Sequence, residues 1–139
     1  MKKALHLIIM AALVVLIVMP SCTKTPEKQI VGKWKIVVAK EDGINDVDAV
    51  GEIWNFKENG KFEGYLSMLD EEIVCKWVVD GNELTLRGGD LDVDDDELVY
   101  VFDIDEINSR NLVVSGKAKE YYYDNLVDKW SVYYELEAK

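Results

Sequence analysis

From residue 30 onward the chain alternates apolar and polar side chains with a period of two. Trp34, Ile36 and Val38 share one face of the first extended segment. The same rhythm sets Trp54 with Phe56, Phe62 with Leu66 and Met68, Ile73 with Cys75, Trp77 and Val79, and Leu84 with Leu86. It returns at the end of the chain in Trp130, Val132, Tyr134 and Leu136. A period of two is that of a strand with one buried face. Strands are expected over residues 32–40, 51–57, 61–69, 73–79, 84–86, 98–107, 112–123 and 129–137. No segment after Cys22 carries a 3.6-residue apolar period. Eight strands with short connections predict an all-β fold, an eight-stranded antiparallel up-and-down barrel, which removes exposed sheet edges by closing on itself.

The turns support the hairpins. Glu58-Asn59-Gly60-Lys61 reads as a type I′ turn, in which both central residues take positive φ, and Asp80-Gly81-Asn82 has the same chemistry. Residues 41–50, 70–72, 88–97, 108–111 and 124–128 read as the remaining connections. The last hairpin leaves two registers open, one with Tyr122 inside and one with Tyr121 and Tyr123 inside, and a bulge would reconcile them.

The first 21 residues have a different pattern. Lys2 and Lys3 precede an apolar run from Ala4 to Met19 interrupted by His6, followed by Pro20, Ser21 and Cys22. That is the layout of a secretory signal, and the run is short for a spanning helix, which needs about 20 apolar residues. Met19-Pro20-Ser21-Cys22 resembles the lipobox of bacterial lipoproteins, with Pro20 in place of a small or aliphatic residue. The resemblance implies acylation of Cys22. The expected organisation is a signal peptide (1–21), a lipidated tether (22–29) and a barrel domain (30–139). The implied location is the bacterial cell envelope, lipid-anchored in the outer membrane, with the periplasmic face favoured.

Charge narrows the partners. Without Lys2 and Lys3 the chain keeps 14 basic and 27 acidic side chains, a net of −13. Such a surface repels nucleic acid and anionic lipid. The mature chain has no histidine, because His6 lies in the signal segment. Ser-His and Cys-His nucleophiles and histidine zinc sites are therefore absent. There is no glycine-rich phosphate loop. A non-enzymatic protein without a cofactor is expected. Cys75 is the only cysteine besides Cys22, so with Cys22 acylated no internal disulfide forms, and its strand position predicts a buried thiol.

Gly32-x-Trp34 at the head of the first strand resembles the Gly-x-Trp signature of lipocalins. Trp54-x-Phe56 followed by Asn59-Gly60 and Phe62 is similar to short bacterial lipocalin-like lipoproteins, as is Trp77-x-x-Asp80-Gly81-Asn82-x-Leu84-Thr85-Leu86. The chain departs from lipocalins in having no arginine near its last strand. The resemblance implies an eight-stranded barrel and binding of a small apolar molecule.

Two uses of the inward aromatic residues stay open. Trp54, Phe56, Phe62, Met68, Cys75, Trp77 and Tyr134 are the candidate ligand contacts, or they fill the barrel as core. Gly32, Trp34 and Trp130 are expected as core at the closed, tethered end. In a meander, alternate loops share an end, which gathers 15 of the 27 acids opposite the tether. Asp92, Asp94 and Asp96 are the weak candidates for a calcium site there. The partners expected are the membrane through the lipid, and either a small neutral or cationic ligand or a basic protein surface.

Overall fold

The barrel closes on its first strand. The computed structural model describes residues 24–66, 71–88, 96–122 and 125–139. Its strands are β1 (Gly32–Glu41), β2 (Ile44–Asn45), β3 (Ile53–Phe56), β4 (Lys61–Leu66), β5 (Glu71–Asp80), β6 (Glu83–Gly88), β7 (Asp96–Ile107), β8 (Asn111–Tyr122) and β9 (Asn125–Ala138). Every pairing is antiparallel, in the order β1-β3-β4-β5-β6-β7-β8-β9. β1 also pairs with β9, from Trp34 opposite Ala138 to Glu41 opposite Val132. That contact closes an eight-stranded barrel, and the two-residue β2 adds to the end of β1.

Alternation becomes a core because one side chain in two points inward. In β9, Trp130, Val132, Tyr134 and Leu136 are buried, while their neighbours are partly or fully exposed. β1 breaks the rule midway. Its register with β9 shifts between Ile36 and Val38. A bulge adds one residue and reverses the alternation beyond it. Ala39, not Val38, is therefore buried, and Glu41 follows Ala39 onto the inward face.

Several boundaries differ from the expected ones. Glu71 and Glu72 begin β5 rather than a bend, and Asp96 and Glu97 begin β7. Lys57–Lys61 is not a type I′ turn. Gly60 has φ +80° and Asn59 has negative φ, and Lys57 N donates to Lys61 O at 2.8 Å across a three-residue loop. That is a turn followed by a left-handed glycine. At Gly81-Asn82 only the glycine has positive φ, +61°, the type II′ pattern. The last hairpin does carry a bulge, between Glu120 and Tyr121, with Tyr121 opposite Leu126.

The expected tether contains a one-turn helix, α1 (Pro26–Ile30). Proline at its start has the φ a helix needs and lacks an N–H that would go unpaired there. One turn is too short to show a helical period. Its last residue, Ile30, is fully buried and closes the adjacent end of the barrel. This near end also holds Gly32, the β3–β4, β5–β6 and β7–β8 turns, and the end of β9. The far end holds residues 42–49 and the strand ends that lead to residues 67–70, 89–95 and 123–124.

Candidate functional site

The middle of the barrel is filled by rings. Trp54, Phe62 and Phe102 have no exposed surface. Trp54 lies 5.5 Å from Phe62, 5.9 Å from Phe102 and 4.7 Å from Tyr134, centroid to centroid. Phe56 joins this cluster and continues it to Trp77. β3 and β7 stand four strands apart in a ring of eight, on opposite walls. The Trp54–Phe102 contact therefore spans the barrel and leaves no width between them for a ligand. Gly64, opposite Trp54 on β4, makes room for this packing, because a Cβ there would lie 2.6 Å from the Phe62 ring and 2.8 Å from Trp54.

Beyond this waist, toward the far end, small inward side chains are mixed with large ones. Ala39, Cys75 and Ala118 are buried there with Tyr100, Trp130 and Tyr134. Burial pushes the Cys75 thiol up to about 12, so it is held protonated. Burial also raises both tyrosine hydroxyls, with Glu41 adding to each. The Glu41 carboxyl is itself raised, first by burial, then by Asp46 and Asp42. The indole Nε1 of Trp130 is buried without a hydrogen-bond partner.

Asp42 shapes the rim. It is the one non-glycine residue with positive φ among the described residues, +48°. Its N–H donates to Ser131 O at 2.9 Å, and its Oδ1 accepts from Ser131 N at 2.8 Å. Asp46 Oδ1 accepts from Asp48 N and Ala49 N, which folds the loop over buried Ala49. Outside, Lys119 and Lys129 face each other across β8 and β9, and Lys117 and Lys119 lower the ammonium pKa of Lys129.

The near end is closed. Gly32 takes φ +135°, a conformation that side chains disfavour, at the corner from α1 into β1. This gives the glycine of Gly-x-Trp a backbone role. Trp34 is buried, and its Nε1 donates to Ile30 O at 2.7 Å. Trp77 Nε1 donates to Lys57 O at 3.0 Å. An open groove of about 600 Å³ lies outside the barrel here, lined by Lys24, Glu27, Lys28, Val31, Glu58 and Trp77.

One of the sequence-derived placements is therefore corrected, that of Trp130. Trp77, a candidate ligand contact, packs on Phe56 and lines the groove at the near end. Trp130 is not core beside Trp34: Ala138 pairs with Trp34, and Trp130 lies eight residues back along β9, beyond the end of β1 at the far end. Alternation told which wall face each occupies, and register decided the height. Trp54, Phe56, Phe62 and Tyr134 come together, as ring packing. Phe102 and Tyr100 complete that packing, and their alternation with Ile104 was the signal for it. Cys22, Met68, Asp92 and Asp94 lie outside the described residues, and Asp96 is the first residue of β7. Among the described residues no group of three or more acidic, cysteine or histidine side chains is placed to hold a metal. No described helix is long and apolar enough to cross a membrane. Comparison with protein-family models and with curated proteins found no match to this chain.

Proposed function

We propose that the protein is a non-enzymatic, lipid-anchored component of a bacterial cell envelope, in which a lipocalin-like barrel serves as a filled scaffold. Its anchor is Cys22, in the outer membrane with the domain on the periplasmic side. The scaffold presents its far end to a partner, since the chain leaves for the anchor from the near end. The observation that carries the scaffold reading is the Trp54–Phe102 contact at 5.9 Å between opposite walls. A second reading, a small neutral or cationic ligand held beneath the far rim, is favoured by the unpartnered indole N–H of Trp130 and by Glu41, Asp42 and Asp46 at that rim.

Native mass spectrometry of the full-length protein purified from its own host tests both. The expected mass is that of the acylated chain alone, and the acyl increment is lost in Cys22→Ser. A small molecule retained one to one would overturn the filled-scaffold reading in favour of the second.

A further inference from the structure

Large exposed apolar side chains are not scattered evenly over this barrel. Among the described residues they are Ile44, Val47, Val50, Val74, Val78, Leu126 and Val127. Val74 and Val78 lie on the outer wall of β5. The other five fall on two segments: Ile44, Val47, Leu126 and Val127 lie at the far end, and Val50 lies lower, beside the middle of β1, where Gly51 N donates to Ile36 O. Ile44, Val47 and Val50 belong to the connection from β1 to β3, and Leu126 and Val127 to the start of β9. Ile44 and Val47 are 74% and 75% exposed. The reciprocal Asp42–Ser131 hydrogen bonds tie the end of β1 to β9, between the two segments. Apolar groups gathered on one exposed surface mark contact sites far better than the same groups singly.

We propose that this far-end surface is a docking site for a protein partner that presents apolar side chains flanked by lysine or arginine. Charge complementarity selects that occupant. Asp42, Asp46 and Asp48 punctuate the apolar residues of the first segment, and Asp128 follows those of the second. The second segment sits beside Lys119 and Lys129, so the acidic part of this end is the first segment, and a second copy that set its own first segment against it would oppose like carboxylates and is disfavoured. An anionic membrane is disfavoured for the same reason. β1 rises about 3.3 Å per residue over ten residues and is tilted by about 40° in a barrel, which sets this surface roughly 25 Å from the near end.

The mode of contact follows from the β9 edge. β1 pairs with β9 only as far as Val132, and Asp42 takes the Ser131 groups. At the next outward position the Asp128 carboxylate accepts from the Lys129 N–H at 2.7 Å. A bulge follows at Val127, and Lys129 is exposed beside it. Carboxylate, bulge and lysine are the devices that blunt a sheet edge against strand addition. The partner therefore binds through side chains, by a helix or loop rather than by an added strand.

This inference rests on the scaffold reading only for which end faces the partner. The test uses full-length protein in zwitterionic lipid nanodiscs and a fluorescent amphipathic Leu/Lys helical peptide as probe, read by anisotropy. Saturable binding is expected, weakened at least tenfold by Ile44→Asp with Val47→Asp and at least tenfold between low and high salt. Val74→Asp with Val78→Asp, equally exposed on the wall of β5, is expected to leave it unchanged. Thermal unfolding checks that each variant is folded. Equal binding of a Leu/Glu peptide, equal weakening by the β5 pair, or self-association that blocks the probe would overturn the proposal. A retained small molecule in native mass spectrometry would sink the scaffold reading while leaving this result standing.

Discussion

The two ends of the barrel treat the same kinds of residue in opposite ways. At the near end each buried indole N–H finds a carbonyl: Trp34 uses Ile30 and Trp77 uses Lys57. The final residues are tied down there too, by Lys139 N to Lys33 O and Ala138 N to Arg110 O. At the far end Trp130 keeps an unpaired N–H, Asp42 holds a positive φ, and Glu41 is partly buried near Asp46 and Asp42. Buried polar groups without partners and strained backbone cost stability, and they gather where contact with another molecule can use them. Stability is thus concentrated at the near end, and unsatisfied chemistry is gathered at the far one.

The waist that separates the ends is the place to break the comparison hardest. Trp54→Ala removes the ring that joins both halves and is expected to lower unfolding free energy by about 3–5 kcal/mol in urea titrations. A loss under about 1 kcal/mol would mean the rings do not carry the core. Cys75 sharpens the boundary from the far side. With its thiol pushed up to about 12 and buried, alkylation by iodoacetamide at pH 8 should run on the order of 10³-fold slower than for an unfolded thiol. Fast alkylation of folded protein would reveal an open passage to the waist.

The two ends then meet in one pair of substitutions. Trp34→Phe leaves the Ile30 carbonyl buried and unpaired, whereas Trp130→Phe removes a donor that had no partner. Loss of ring volume is common to both, so Trp34→Phe should cost about 1–3 kcal/mol more. Equal costs would show that the Trp130 N–H is satisfied. The smallest effect is at Glu41. Its carboxyl binds a proton more tightly folded than unfolded, so its ionisation opposes folding above the folded pKa, and the penalty vanishes below the ordinary value of 4.5. Glu41→Gln should raise the melting temperature at pH 7, with the gain fading as pH falls toward 4. A gain that persists at pH 3.5 would point to packing instead.

Much of this plan was legible in the residues. Two-residue alternation placed eight strands and most inward faces, because burial of one face enforces it. It could not foresee the β1 bulge, which comes from pairing with a strand nearly 100 residues away and moves burial from Val38 to Ala39. Nor could it set heights: Trp77 and Trp130 share an inward face with Trp34, yet inter-strand register puts them at opposite ends. The helix over Pro26–Ile30 left no period to read in a single turn. At the far end, Ile44, Val47, Leu126 and Val127 broke the strand pattern, and that departure was the signal of an exposed apolar surface.

The closure of β1 on β9 has a consequence for the order of folding. Trp34 meets Ala138, so the pairing that completes the ring joins the first strand to the last. Contacts of such long sequence separation form late, because a large loop must be ordered first. A chain emerging from its N-terminus can build the β3–β8 meander, but β1 has no neighbour on its β9 side until the final strand arrives. Deleting that strand would leave β1 and β8 as two open edges and turn a closed barrel into a template for aggregation.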